Sequence, residues 1–432
     1  MAVKEHHFKR RLAYSTVSNL SYIVLAASLM TQNGLTAALA HMLFHALIKI
    51  TLFFCAGAVM VKTGRTQIED LRGLSRVMPF TCAVYTVGAI SLMGTPLLPG
   101  FVSKWLIGSA AIETGTAMGM VGVAALLISA VLTAIYLMGP AMSMYFRPLE
   151  GMEKVVSCDP GMRMKLPFAV LALRPVLRPD YHAAGEALRR RDVKKGENDM
   201  MLLFLVFFPM AAAFCSYLIG RKDKKLRDHA VQSFCLIEFA VAAAAMGLVV
   251  AGKELSAAIP GFCGFGLSFQ LDGFRALYAL VAGVMWLMTS LLSGDYFAHH
   301  YRNRNRYYFF FLLTQGATVG VFLSADLFTT FIFFEIMSFT SYTWVAHDET
   351  PGAMRAAETY LAVAIIGGMV MLMGLFLLYK ELGTLSFEGM KTAAAALTDR
   401  SGLTVASWLT LVGFAAKAGL FPLHIWLPKA HP

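Results

Sequence analysis

Three ionisable side chains lie on one face of an apolar stretch near the start of the chain. His41, His45 and Lys49 are spaced four residues apart within residues 40–60. Each such step turns a helix by about 40°, so the three side chains share one face. Histidine exchanges protons near neutral pH, and a desolvated lysine can do the same. The pattern predicts a proton relay inside a membrane, and the alternative is a basic stripe that is buried for packing or snorkels to the surface.

Three further charged residues occupy apolar runs. Glu335 lies at the centre of one run, while Lys104 and Lys417 each lie in a run that glycine and proline interrupt, at residues 79–112 and 404–428. Interrupted helices with charged residues are typical of midplane sites in transporters. A carboxylate that approaches a lysine favours its protonated form, and a carboxylate that moves away favours release of the proton. Glu335 and Lys417 therefore have the residue types of a proton switch. A proline kink with a snorkelling lysine is the alternative for Lys104.

Two other residues are weaker candidates for the relay. Glu238 lies within an apolar run and is either a helix-packing residue or a minor relay member. His424 follows Pro422, close to Lys417, and is a further relay candidate. Asp272 lies at the entrance of an apolar run, where an anchoring role is expected.

The composition excludes an ordinary soluble domain. Hydrophobic residues make up 57% of the 432 positions and charged residues 15%, and the mean hydropathy is +0.62. Such values, together with long apolar runs, predict an all-α, polytopic transmembrane helical bundle of about eleven spans, two of them discontinuous. The predicted spans are residues 13–31, 36–61, 79–112, 119–145, 200–220, 230–251, 273–294, 306–324, 326–346, 357–380 and 404–428.

The lysines and arginines indicate topology and not nucleic-acid binding. The net charge is +11, but the basic residues lie in short loops between spans, where they mark the cytoplasmic side. The chain divides into residues 1–165 with four spans, a basic linker at 166–199 and residues 200–432 with seven spans. Basic clusters flank both ends of the span at 200–220, which conflicts with a single crossing and indicates a lost span near the junction.

No motif for catalysis by the chain itself stands out. Its six cysteines are scattered without the close spacing of a metal site or a disulfide framework. No nucleophile elbow, phosphate-binding loop or dinucleotide fingerprint occurs in a credible context. We therefore expect no catalytic residue, no metal and no cofactor, and at most the ion-translocating part of an oxidoreductase with no redox centre of its own.

Five phrases resemble one known family, the antiporter-like membrane subunits shared by respiratory complex I, Mrp-type cation/proton antiporters and membrane-bound nickel-iron hydrogenases. These phrases and their flanking spans cover most of the chain outside residues 150–199. The phrases are KRRLAYSTVSNLSY at 9–22, HMLFHALIKITLFFCAGAV at 41–59, LPGFVSKW at 98–105, FFEIMSFTSY at 333–342 and FAAKAGLFPLHIWLPKAHP at 414–432.

The resemblance implies roles for the relay residues. Glu335 and Lys417 correspond to the glutamate and broken-helix lysine of the first half-channel of the family. The HxxxHxxxK stripe corresponds to the central relay of the second half-channel, and Lys104 to its terminal lysine. The order is reversed, however, because residues 1–165 resemble the latter half of one family member and residues 200–432 the former half of another. We therefore expect a gene fusion or a broken reading frame.

The function that the resemblance implies is proton or sodium translocation within a larger complex. The chain is then a membrane subunit of an NADH:quinone oxidoreductase, a hydrogenase or an Mrp-type antiporter, with other membrane and hydrophilic subunits as partners and no nucleic acid. We expect it in the lipid bilayer of a prokaryotic inner (plasma) membrane. The alternatives are a structural membrane subunit that conducts nothing and an independent secondary transporter.

Overall fold

The computed structural model describes residues 1–95, 98–146, 159–161, 194–196, 199–297 and 303–430. The chain divides into two compact units. The first unit comprises Met1–Pro179, Leu291–His299 and Leu420–Pro432. The second unit comprises Asp180–Ser290 and His300–Gly419. Most of the predicted linker at 166–199 lies outside the described residues, so that division of the chain stays a prediction.

The described residues are predominantly helical. In chain order the helices are α1 (Phe8–Ser28), α2 (Gln32–Thr63), α3 (Pro79–Met93), α4 (Pro99–Glu113), α5 (Ala117–Phe146), α6 (Asp199–Lys222), α7 (Lys224–Val250), α8 (Gly273–Tyr296), α9 (Arg304–Leu323), α10 (Leu327–Val345), α11 (Pro351–Leu382), α12 (Phe387–Ala396), α13 (Ser401–Ala418) and α14 (Trp426–Lys429). The strands are β1 (Lys194–Gly196), β2 (Lys253–Ile259) and β3 (Leu267–Leu271).

Seven stretches of the described chain are long and apolar enough to cross a membrane. They are α2, α5, the run Met200–Lys222 in α6, α7, the run Gly273–Gly294 in α8, α11 and the run Ser401–Lys429. The prediction of a bundle of apolar helices that cross a membrane is therefore confirmed. The count of eleven spans stays a prediction.

Helix α2, which carries the ionisable stripe, has a defined beginning and end. The hydroxyl of Thr31 accepts a hydrogen bond from the backbone N–H of Gly34 at 3.0 Å, which caps the first turn. Gly64 ends the helix in the left-handed conformation, with φ of 68°. The 32 residues between these caps span about 48 Å at 1.5 Å per residue, more than a hydrocarbon core requires.

The interrupted run in the first unit forms two separate helices, α3 and α4. Gly94 ends α3 with φ of 99°, and Pro99 occupies the first turn of α4, where its missing N–H is tolerated. The two helices approach very closely, because a Cβ on Gly100 would lie 1.8 Å from the carbonyl oxygen of Ser91. Asp159 caps α3 by accepting hydrogen bonds from the N–H groups of Phe80 and Thr81 at 3.0 and 3.2 Å.

In the second unit, α11 and α13 pack through small residues. A Cβ on Gly367 would lie 2.6 Å from the Cβ of Ala416, and a Cβ on Gly413 would lie 2.4 Å from the Cβ of Met371. Close backbone approach of this kind is typical of helix pairs in membranes. It brings the last turn of α13 against α11.

A small sheet, which the all-α prediction did not include, consists of β1, which precedes α6, and of β2 and β3, which lie between α7 and α8 in the sequence. Strand β2 pairs parallel to β1 and antiparallel to β3, with Leu255 opposite Leu271 and Ala257 opposite Phe269. These four side chains are buried and alternate along β2 and β3 with more exposed residues, as expected for a sheet with one packed face. Strands β2 and β3 were not predicted, because they are short and lie between two long apolar runs.

We predict that Gly100→Ala destabilises the first unit. The new Cβ would collide with the backbone of α3, which cannot move aside as a flexible side chain can, so we expect a loss of about 1–3 kcal/mol. The matched control is Gly108→Ala on the same helix, where the nearest atom to the new Cβ is Leu126 Cδ2 at 3.7 Å. Thermal unfolding in detergent measures both variants, and equal midpoints would contradict the close approach of α3 and α4.

Candidate functional site

The ionisable stripe is buried within the first unit. His41, His45 and Lys49 have relative exposures of 2%, 7% and 5%. The two imidazole rings stack with their centroids 6.2 Å apart and an interplanar angle of 16°. Lys49 Nζ donates a hydrogen bond to the carbonyl oxygen of Leu12 on α1 at 2.7 Å. The predicted common face is therefore an internal face, in contact with α1.

Lys104 binds the end of the neighbouring helix. Its ammonium donates to the carbonyl oxygens of Leu92 and Met93 at 2.9 and 3.0 Å. These carbonyls belong to the last turn of α3, where backbone acceptors have no partner within the helix and the helix dipole favours a positive charge. Gly94 leaves the space for the lysine, since a Cβ there would lie 3.1 Å from Lys104 Cδ. The break in the helix thus forms the binding site of the lysine.

His41 and Lys104 are linked through shared neighbours. His41 Nδ1 is 2.9 Å from the hydroxyl of Ser103, the residue that precedes Lys104. The ring of Tyr22 packs edge-on against His41 at 5.5 Å, and Lys104 Nζ lies 5.4 Å from the centroid of the same ring. Nε2 of His41 and Nε2 of His45 are buried without a hydrogen-bond partner among the described residues. The structure therefore brings the stripe and Lys104 into one buried cluster of polar side chains.

Lys417, in the second unit, is held by hydroxyl groups. It lies in the last turn of α13 and donates to the hydroxyls of Ser341, at 3.2 Å, and Tyr360. Those two hydroxyls are 2.6 Å apart, and the hydroxyl of Tyr360 also donates to the carbonyl oxygen of Ser338 at 3.1 Å. Lys417 Nζ lies 4.6 Å from the centroid of the Tyr360 ring. A polar cluster therefore joins α10, α11 and α13.

Glu335 lies on α10 less than two turns before Ser341. It is partly buried, and a Cβ on Gly368 of α11 would lie 2.4 Å from its Oε1. Oε1 has no hydrogen-bond partner in the described part of the chain. Lys417 is near enough to act on the carboxyl electrostatically, yet its ammonium binds Ser341 and Tyr360. The predicted pair therefore forms no salt bridge in the described part of the chain, and the lysine is held by neutral groups.

The two weaker candidates occupy separate buried positions. Glu238 on α7 has a relative exposure of 1%, and neither carboxyl oxygen has a partner among the described residues. His424 is buried in a short 3-10 turn of the first unit, 5.4 Å from the ring of Phe421, whereas Lys417 belongs to the second unit. Participation of these two residues in a relay stays a prediction.

The sequence analysis missed four residues that contact the charged groups. Ser103 could have been identified from the sequence, because it directly precedes Lys104. Tyr22, Ser341 and Tyr360 gave no such signal, because each reaches its lysine from another helix. Within the described ranges, no group of three or more His, Cys, Asp and Glu side chains lies close enough to hold a metal ion.

A family model matches residues 1–133 and 324–432, which together make up more than half of the chain. Its description is "NADH:quinone oxidoreductase/Mrp antiporter, TM". The chain therefore belongs to this family of transmembrane subunits, which confirms the resemblance seen in the sequence. The family and the apolar helices make it an integral membrane protein.

Similar proteins include components of two kinds of complex. One component of the NADH-quinone oxidoreductase of Desulforudis audaxviator is 36% identical over 41% of this chain and 35% of its own length. One component of a probable K⁺/H⁺ antiporter of Rhizobium meliloti is 30% identical over 54% of this chain and 44% of its own. The chain thus spans less than half the length of these curated relatives. Among solved structures, a chain of the membrane-bound sulfane sulfur reductase, an archaeal respiratory membrane complex, is 26% identical over 53% of this chain and 47% of its own, with a TM-score of 0.48.

We predict that Tyr360→Phe destabilises the second unit through Lys417. The change keeps the aromatic ring but leaves the partly buried ammonium with one acceptor fewer, at a cost of about 1–3 kcal/mol in the free energy of unfolding. The control is Tyr379→Phe on the same helix, where the side chain is exposed. Thermal unfolding in detergent measures the loss.

A double-mutant cycle assigns that loss to the lysine. In a Lys417→Met background, Tyr360→Phe is expected to cost less than it does in the original chain, because the ammonium that it deprives of an acceptor is absent. An equal cost in both backgrounds would show that the hydroxyl of Tyr360 does not stabilise Lys417.

Proposed function

We propose that this chain translocates protons, or sodium ions, as a membrane subunit of an oxidoreductase or antiporter complex. The observation that carries the proposal is how the structure holds Lys104, which is buried, and Lys417, which is partly buried. Within the described residues, Lys104 binds backbone carbonyls and Lys417 binds hydroxyls, and neither forms an ion pair. A lysine without a counter-ion can release its proton without breaking a salt bridge, which suits a relay.

The proposal contains two separate relays, one in each unit. In the first unit the relay consists of His41, His45, Lys49 and Lys104, and in the second of Glu335 and Lys417. In the second unit, a move of Lys417 from its hydroxyl acceptors toward Glu335 would favour the ammonium, and the return would favour proton release. Glu238 and His424 are proposed as accessory members.

The membrane arrangement forms part of the same proposal. We infer eleven spans, with α3 and α4 forming one discontinuous span and α13 and α14 belonging to another. Support comes from the glycines that end α3 and α13 in the left-handed conformation, Gly94 and Gly419. The bacterial relatives support a prokaryotic inner membrane, and their names as subunits support a location beside other membrane and hydrophilic subunits.

A structural role without conduction is the second candidate. The hydrogen bonds of Lys49 and Lys104 to carbonyls of neighbouring helices also suit side chains that fix helix positions, as polar groups do in membranes. An independent secondary transporter is the third candidate. Ion flux through the isolated chain, together with copurification of partner subunits, separates these functions.

We predict that Lys49→Ala lowers proton flux through the full chain in lipid vesicles. The flux is driven by a potassium diffusion potential and followed with a pH-sensitive dye inside the vesicles, with ²²Na⁺ uptake measured in parallel. Loss of one proton-transfer group is expected to remove most of the share of the flux that passes through the first unit, because such a group typically contributes about 10²-fold or more to its own step. The matched control is Lys62→Ala, an exposed lysine in the last turn of the same helix, which is expected to leave the flux unchanged.

The result also decides between the candidate functions. Proton flux that depends on Lys49 supports the relay, and sodium uptake with the same dependence would identify sodium as the ion. Equal flux for the original chain and the Lys49→Ala variant, with both correctly folded, would contradict translocation through the relay and favour the structural role. Purification from native membranes without any partner subunit would favour the independent transporter.

A further inference from the structure

A row of hydroxyl groups lies between α1 and α5 in the first unit, next to the proposed relay but separate from it. We refer to this row as the hydroxyl seam. Its members on α1 are Ser15, Ser18 and Tyr22, and its members on α5 are Ser129, Thr133 and Tyr136. They recur at intervals of three or four residues on each helix, so they form one face of α1 and one face of α5.

One half of the hydroxyl seam is a continuous chain of hydrogen bonds. The hydroxyl of Tyr136 is 3.0 Å from that of Ser15 and 3.1 Å from that of Thr133. Ser15 and Thr133 have a relative exposure of 0%, and Tyr136 of 4%. Three neighbouring hydroxyls are therefore shielded from lipid, and each can act as donor and acceptor.

The other half of the hydroxyl seam meets the first half around the hydroxyl of Tyr22. The hydroxyls of Ser18 and Ser129 are 3.0 Å apart, and the hydroxyl of Thr133 donates to the carbonyl oxygen of Ser129 at 2.8 Å. The hydroxyl of Tyr22 lies beside those of Ser129, Ser18 and Thr133. Three hydroxyls of the seam are therefore within reach of the proton of Tyr22.

The ends of the hydroxyl seam lie at chemically different places. At one end, the ring of Tyr22 contacts His41 and lies 5.4 Å from Lys104 Nζ. At the other end, Arg11 donates to the carbonyl oxygen of Tyr136 at 3.3 Å. Arg11 belongs to the basic start of α1. The seam thus leads from the buried lysine toward the end of the helix where charged groups collect.

We propose that the hydroxyl seam is a proton path between Lys104 and the basic end of α1. The proposal rests on the proposed function and extends it by an exit or entry route. Within the seam each step forms one O–H bond and breaks another, the step from Lys104 breaks an N–H bond and forms an O–H bond, and at the basic end of α1 the proton passes to or from water. Neither an oxidant nor a reductant is required. The step between Lys104 and the hydroxyl of Tyr22 is made by rotation of the lysine side chain or across a bridging water.

Helix packing alone accounts less well for this arrangement. Hydroxyls that only join helices are expected to be fully paired, since an unpaired buried polar group is costly. Here Oδ1 of Asn19, which lies between Ser18 and Tyr22 on α1, is buried without a partner among the described residues. Unpaired groups beside paired hydroxyls allow the hydrogen bonds to reorient, which proton transfer along a chain requires.

The test uses isosteric variants of the full chain in lipid vesicles. Tyr136→Phe and Thr133→Val keep the size of the side chain and remove the hydroxyl. Each is expected to remove most of the share of the flux that passes through the first unit, since the lower end of the effect of losing a proton-transfer group is about 10²-fold on its own step. Because the two hydroxyls lie in series, the double variant is expected to lose no more flux than either single variant. The controls are Tyr14→Phe and Ser21→Ala, which alter α1 outside the seam and are expected to keep the flux.

Thermal unfolding and a Lys104→Ala variant complete the test. If flux falls only in proportion to the folded fraction, or if losses add in the double variant, the seam is a packing element and the proposal is wrong. If Lys104→Ala lowers the flux but Tyr136→Phe does not, the seam fails while the proposed function stands. If Lys104→Ala leaves the flux unchanged, the proposed function itself fails.

Discussion

The structure depends on how a positive charge is accommodated inside an apolar helix bundle. An ammonium group at this depth is costly unless polar groups replace its water. The first unit meets this requirement by breaking a helix, since the open end of α3 presents two carbonyl oxygens to Lys104. The second unit meets it with the hydroxyls of Ser341 and Tyr360 around Lys417. Both solutions use neutral acceptors.

Glycines make these arrangements sterically feasible. Gly94 turns the chain at the end of α3 and leaves room for the lysine, while Gly100 permits contact between the backbones of α3 and α4. Gly367 and Gly413 likewise let α11 and α13 approach, which places Tyr360 within reach of Lys417. Local backbone freedom, close packing and the chemistry of the site are therefore consequences of the same few positions.

Sequence reasoning succeeded where the relevant pattern is local. The spacing of His41, His45 and Lys49 placed them on one face, and glycine and proline marked the interruption before Lys104. It failed for Tyr22, Ser341 and Tyr360, because contacts between helices depend on packing that no local periodicity encodes. The sheet of β2 and β3 was missed for a related reason, since its short strands lie between long apolar runs. Partner residues from other helices are thus the part of such a site that requires a structure.

The central claim is that each unit contains its own lysine relay. Proton flux through vesicles that contain Lys104→Ala, Lys417→Ala or the double variant tests it most directly. If the relays are separate paths, each single variant loses part of the flux, and the loss in the double variant is the sum of the two. If either single variant abolishes the flux and the second substitution adds nothing, the lysines act in one continuous path, which would contradict the account.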